Sequence, residues 1–309
     1  MTEFGARPVT GPASEALVRL AAPSAPRWRL VFCPPAGAGA GFCRPLIDPC
    51  LAAGAELWAV RYPARESRLH QPHPRSLAVM AGEAAAALDP SQHSPSGSLS
   101  GSLSGSDLPL VLLGHSMGAL IAVRIAKQLA GRCARPGAEP AAAQPVPTLD
   151  LLAVSAYEAP GEWPWSRLAG HRRARLAEVM ADGDRLRSWA GQNGGVPEIL
   201  LGDNDFWAMQ LPILRQDLQA AMDDDTTLPQ RLPQPATVGA AIDTPMVLLC
   251  GDRDPLVRLP QMHPWALLTS GQVTRHRLHG EHHAVIADAP ATVRVLADSL
   301  ESRCLRAAV

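Results

Sequence analysis

Leu110-Val111-Leu112-Leu113-Gly114-His115-Ser116-Met117-Gly118 is the stretch from which the rest of this chain is read. Four apolar residues in a row form a short buried strand, and the run from Ala119 to Leu129 has the make-up of a helix. Between them lies Gly-x-Ser-x-Gly, which in a strand–turn–helix setting is a nucleophile elbow. The glycines permit a tight turn that a side chain would obstruct. Ser116 is then presented at the top of a sheet, with the N–H groups that open the helix facing whatever it attacks. An idle serine in a Gly-rich turn is the bland alternative, and partners downstream decide between the two.

A serine hydroxyl needs a base to take its proton, and the base needs a partner that fixes its tautomer. In α/β-hydrolases these follow in the order Ser, Asp/Glu, His, on loops after late strands. The strand-like Met246-Val247-Leu248-Leu249-Cys250 runs into Gly251-Asp252-Arg253-Asp254-Pro255. The next, around Val273 to Leu278, runs into His279-Gly280-Glu281-His282-His283. Asp254 is the preferred acid, because Pro255 stiffens the loop that aims it. Asp252 competes, its plainer role being a turn residue bonded to nearby backbone. His282 is preferred to His283 because Gly280 allows the turn that presents it. His276, His279, His282 and His283 invite a metal reading, but no Cys or HExxH pattern supports one. No cofactor and no metal are expected.

An oxyanion hole completes such a site. Its donors are expected to be the N–H of Met117, just after the nucleophile, and that of Ala36. The latter lies in the turn Pro34-Pro35-Ala36-Gly37-Ala38-Gly39 after a first strand, Trp28 to Cys33. His115 reads as structural, pointing away from the nucleophile. The chemistry implied is acyl transfer by a serine enzyme.

Alternating strands and helices imply an α/β fold with a mainly parallel sheet covered by helices on both faces. Further strands are expected at Leu57 to Tyr62 and Leu149 to Val154, with helices at Ser76 to Leu88 and Ala291 to Leu300. Residues 1–26, rich in Pro, Ala and Gly, read as a loose lead-in. The Gly/Ser repeat within 91–107 reads as a flexible insertion, too polar to offset its ordering entropy. Residues 156–244 are longer than one crossover needs and contain helix-like runs at Arg167 to Met180, Arg185 to Ala190 and Asp205 to Met222. They read as an inserted helical lid on a single domain, 1–309, whose core is about 27–155 and 245–305.

The composition excludes several classes. Lys+Arg of 28 against Asp+Glu of 29 leaves a net charge of −1, so nothing electrostatic points to nucleic acid or an anionic membrane. A hydrophobic fraction of 47% suits an ordinary globular core. Met1 to Thr10 lacks the pattern of a signal peptide, and no apolar stretch reaches membrane-spanning length. The six cysteines form no CxxC pair. A cytoplasmic, monomeric enzyme with reduced thiols is expected.

Over about residues 28 to 300 the chain resembles the type II thioesterases of polyketide and nonribosomal peptide synthesis, a branch of the α/β-hydrolases. The marks are Phe32-Cys33-Pro34-Pro35-Ala36-Gly37, Tyr62-Pro63-Ala64-Arg65-Glu66, Gly-His-Ser-Met-Gly-Ala from Gly114, and Gly-Asp-Arg-Asp-Pro-Leu-Val from Gly251. Gly194-Gly195-Val196-Pro197-Glu198 and Leu211-Pro212-Ile213-Leu214-Arg215-Gln216-Asp217 also fit. The chain departs in having Ala64 for the usual Gly, His283 for the usual aromatic and Gln216 for a common Ala. The Ser/Gly repeat is an addition, and Asp223 to Thr244 is longer than expected. The resemblance implies a substrate acyl group on the phosphopantetheine arm of an acyl or peptidyl carrier protein. It implies Ser116, His282 and Asp254 as the triad, acting in trans to clear blocked or misprimed carriers. Trp163, Trp165, Phe206, Trp207 and Met209 are candidates for the lining of the acyl pocket. A general esterase or lipase, an acyltransferase, and an inactive carrier-binding fold are the rival readings.

Overall fold

The computed structural model describes residues 14–88, 108–133, 148–159, 166–193, 196, 198–227 and 242–307. Its strands are β1 (Leu17–Ala21), β2 (Trp28–Cys33), β3 (Ala55–Val60), β4 (Leu110–His115), β5 (Leu149–Ser155), β6 (Met246–Gly251) and β7 (Val273–Leu278). They form one sheet in the order β1-β3-β2-β4-β5-β6-β7, parallel throughout except for β1. β1 corrects the expected loose lead-in: Leu17 to Ala21 pairs antiparallel with β3 and forms the edge of the sheet.

Side-chain alternation along the strands fills two cores, as the two-residue period requires. Val31 and Cys33 of β2, with Leu110 and Leu112 of β4, face one side. Leu30, Phe32, Val111 and Leu113 face the other. The first side is covered by α2 (Leu77–Leu88) and α3 (Met117–Cys133), which bury Met80, Ala84, Leu120 and Ile125. The second is covered by α1 (Ile47–Ala52) and by a long C-terminal helix, Ala289–Ala307. Both faces of β4 are therefore apolar over Leu110 to Leu113, which explains why that stretch reads as a continuous hydrophobic run.

Among the described residues three α-helices lie between β5 and β6: α4 (Ser166–Ala181), α5 (Gly183–Gln192) and α6 (Asn204–Thr227). Asp182 caps α5 by accepting from the Arg185 N–H at 2.9 Å. Met180, Leu186, Ala190, Trp207, Leu214 and Leu218 form a third apolar cluster that joins these helices, and Ala36 borders it. Of the candidate pocket residues, Trp207 is buried in this cluster, and Phe206 packs edge-on against it with ring centres 5.3 Å apart. Met209 is 62% exposed and lines nothing there. Trp163, Trp165 and the Ser/Gly repeat lie outside the described residues. After β6 come α7 (Leu259–Met262), α8 (Ala284–Ala287) and the C-terminal helix, α9. No helix among the described residues is long and apolar enough to cross a membrane.

Candidate active site

Four loops meet where the parallel strands end, the place where open α/β sheets bind their ligands. They follow β2, β4, β6 and β7. Ser116 follows β4 with φ of 52°, a left-handed backbone that a serine adopts only where its surroundings impose it. Its N–H donates to the Ser155 carbonyl at 2.8 Å, which ties the elbow to the end of β5. Gly118, two residues on, is required by close approach. A Cβ there would stand 2.6 Å from the Pro34 carbonyl oxygen, so the elbow and the turn after β2 touch backbone to backbone.

Ser116 Oγ lies 3.2 Å from His282 Nε2. On the other side of the ring, His282 Nδ1 lies 3.0 Å from Asp254 Oδ2 and 3.2 Å from Oδ1. A carboxylate only accepts, so Nδ1 carries the proton and Nε2 is left to accept from the serine hydroxyl. The Asp254 side chain is fully buried, and its Oδ1 also accepts from the Leu256 and Val257 N–H groups at 2.8 and 3.0 Å. That turn, stiffened by Pro255, aims the carboxylate. Gly280, with φ of 133°, makes the bend that brings His282 back over the elbow.

The competing residues have other work. Asp252 is 40% exposed and accepts from the Gly280 N–H at 2.8 Å, linking the β6 loop to the β7 loop. His279 points outward and meets Asp252 at 3.2 Å, and His276 meets Thr274. Among the described residues no three His, Cys, Asp or Glu side chains are arranged so that they could hold a metal ion. The described cysteines Cys33, Cys43, Cys50 and Cys250 are free and buried. Burial pushes the thiols of Cys50 and Cys250 up to about 12, so neither offers a thiolate to compete with Ser116 as nucleophile.

Of the two residues named as backbone donors, Met117 directly follows Ser116, and Ala36 lies two residues beyond Pro34, whose carbonyl Gly118 approaches. Met117 opens α3, where the first N–H groups have no partner within the helix. Ala36 sits in a turn closed by the Ala38 N–H, which donates to Pro35 O at 3.1 Å.

The sequence offered His283 as the rival of His282, as one of four histidines open to a metal reading and as a departure from the family's usual aromatic, and His115 as structural. Their rings are in contact, His115 Nε2 to His283 Nδ1, at 2.9 Å. His115 Nδ1 reaches Ser155 Oγ at 3.1 Å. Both rings pack against His282, His115 tilted and His283 edge-on, with centres 5.2 and 5.0 Å away. Burial, then the neighbouring imidazoles, holds His115 well below the usual histidine range. The same causes lower His283 to about 3. Two neutral rings therefore back His282, and neither opposes the positive charge that a base acquires when it takes a proton.

A second missed constellation joins Arg65, His73 and Asp217. Asp217 of α6 accepts from both ends of the Arg65 guanidinium at 2.8 and 2.9 Å, from His73 Nε2 at 2.8 Å and from the Gly37 N–H at 2.7 Å. Burial raises its carboxyl, but Arg65, His73 and the Gly37 bond outweigh that and hold it below the ordinary range. One signal was present in the sequence: Asp217 lies on the apolar stripe of α6 between Leu214 and Leu218, where a carboxylate must have a partner.

The thioesterase-domain family model matches residues 28–300. "Thioesterase PikA5" of Streptomyces venezuelae is 29% identical over 82% of this chain and 74% of its own length. A probable cadicidin biosynthesis thioesterase of Streptomyces griseus is 26% identical over 82% of this chain, which spans only 57% of that protein. Among solved structures, YbtT, a type II thioesterase from the yersiniabactin NRPS/PKS pathway, is 22% identical with a TM-score of 0.67, covering 93% of this chain and 98% of its own. BorB, the type II thioesterase of the borrelidin cluster, is 24% identical with a TM-score of 0.63, covering 92% and 97%. These two likenesses are of fold.

Proposed function

The chain belongs to the thioesterase-domain family and is a hydrolase acting on thioesters, and from that premise we propose the residues and the substrate. Ser116 Oγ attacks the thioester carbonyl carbon while His282 Nε2 takes its proton. Asp254 holds the resulting imidazolium in place. The carbonyl oxygen, now an anion, is held by the Ala36 and Met117 N–H groups. Collapse breaks the C–S bond, and the proton on His282 passes to the departing thiolate. The ester on Ser116 is then attacked by a water that His282 deprotonates, which releases the acid and restores the serine. The carrying observation is the unbroken line from Ser116 through His282 to Asp254, at 3.2 and 3.0 Å, within the span the family model matches.

The substrate is an acyl group on the phosphopantetheine thiol of an acyl or peptidyl carrier protein, and the role is clearance of misprimed or stalled carriers in antibiotic-type biosynthesis. The names of the relatives and the sequence motifs favour this reading. Residues 156–244 act as a lid: α4–α6 bring their own apolar cluster up to Ala36, so a cover of this kind shields an acyl chain beside the turn that binds its carbonyl.

The test compares clearance of acetyl- and propionyl-pantetheinyl carrier protein by the intact enzyme and by Ser116→Ala, with a short p-nitrophenyl ester alongside. Ser116-dependent clearance of the carrier with weak ester turnover is expected. Good ester turnover with an untouched carrier would assign the chain to general esterases, and a carrier discharged only when an acceptor is added would make it an acyltransferase.

A further inference from the structure

α6 carries Gln210, Asp217 and Asp224 at seven-residue intervals, which puts them on one stripe of the helix. Each bonds outside the α4–α6 unit. Gln210 Nε2 donates to the Gly37 carbonyl at 2.5 Å, Asp217 Oδ2 accepts from the Gly37 N–H, and Asp224 Oδ2 accepts from Arg124 Nε of α3 at 2.8 Å. Both polar groups of Gly37, the residue after Ala36, are thus held by α6. The core side completes the grip. Arg65, forked on Asp217, also donates to the Ala38 carbonyl at 3.0 Å, and the Tyr62 hydroxyl donates to the Pro34 carbonyl at 3.0 Å.

The direction of the Ala36 N–H follows from these bonds. That N–H shares a peptide plane with the Pro35 carbonyl, which accepts from the Ala38 N–H. Asp217 fixes the Gly37 end of this turn and Arg65 fixes its Ala38 end, so the pair sets the plane on which the donor lies.

Resting on the reading of Ser116 as a serine nucleophile, we propose that Asp217 is a positioning residue for the oxyanion hole, which is complete only while α6 is seated. Gln210 and Asp217, the α6 residues that bond the turn, then shape the active site while the helix also forms part of the cover. Lifting it strips the Gly37 N–H of its acceptor and leaves the Arg65 guanidinium buried without its carboxylate, so the helix stays docked through turnover.

Asp217→Asn places an amide donor among three donors and tests this directly. With a short p-nitrophenyl ester, kcat is expected to fall on the order of 10- to 100-fold, with KM within about threefold, because a displaced donor is felt only in the transition state. Inhibition by an alkyl boronic acid, whose oxygen occupies the hole once boron bonds Ser116, should weaken in proportion to kcat. Asp224→Asn, on the same stripe but remote from the turn, should keep kcat within about twofold, which separates positioning from general loosening of α6. Gln210→Leu breaks only the Gly37 carbonyl bond and should lower kcat about 3- to 10-fold; it carries the test if Asp217→Asn does not fold. An unchanged kcat in folded Asp217→Asn or in Gln210→Leu, or an Asp224→Asn defect as large as theirs, overturns the proposal. Activity surviving in Ser116→Ala would instead refute the serine mechanism beneath it.

Discussion

Below pH 6.5 the fold should lose stability through a histidine that does no chemistry. His283 is partly buried against His115 and Phe42, and it is held neutral down to about 3 by burial and by the adjacent His282. In the unfolded chain the same ring titrates near 6.5. Between those values the unfolded state binds a proton that the folded state refuses, so stability falls as pH falls through the window. At pH 5 an unfolded histidine is about 97% protonated while the folded ring is almost wholly neutral. The two populations differ by about 2 kcal/mol in stability relative to pH 8. Because His283 keeps some contact with solvent, that figure is a ceiling. His115, buried and lowered for the same reasons, adds to the loss in the same direction. The assay is calorimetric Tm from pH 8 to pH 5, where about 2 kcal/mol corresponds to roughly 3 °C for a chain of this length. The perturbation is His283→Asn, whose amide reaches the place of Nδ1 and keeps the bond to His115 without titrating. The variant's drop should be smaller than the native one by up to that amount, the residue reporting His115. If native and variant proteins lose the same Tm on acidification, the neutral-pair account is refuted.

Three further outcomes follow from the geometry. Asp254→Asn keeps the acceptor for the Leu256 and Val257 N–H groups but can no longer fix the His282 tautomer, so ester kcat should drop on the order of 10³- to 10⁴-fold with the Tm nearly unchanged; a loss under tenfold would remove Asp254 from the triad. Ala64 sits at φ of 64°, so Ala64→Gly should stabilise the protein by about 1 kcal/mol in urea unfolding, and a destabilised variant would show that the Ala64 methyl group is worth more than the strain it brings. Gly118→Ala forces a methyl group against the Cys33 and Pro34 backbone, where nothing flexible can yield; a loss of about 3 kcal/mol or more is expected, and native-like stability would contradict the contact between elbow and oxyanion turn.

What the sequence made legible, and what it hid, follows the range of the forces involved. The elbow, Asp254 and His282 could be named because each lies within a few residues of a strand end, and strand ends are marked by local composition. The bounds of β2 came from its largely apolar run. β1 was not seen because it is a five-residue edge strand behind a Pro- and Ala-rich lead-in, and its support, pairing with β3 some forty residues away and burial of Leu17 and Ala21, is all long-range. The two polar networks are more remote still: His115 and His283 are separated by 168 residues, and Arg65 and Asp217 by 152. Spacing along the chain cannot report such pairs. It can report the need for them. A helix that repeats Gln210, Asp217 and Asp224 every seven residues, with Asp217 set between Leu214 and Leu218, buries a polar stripe, and such a stripe is stable only when donors and acceptors elsewhere meet it. Arg65, His73 and Arg124 were the missing partners. That obligation also makes α6 costly to lift, and so links the part of the chain least determined by strand patterning to the peptide plane that carries the Ala36 donor.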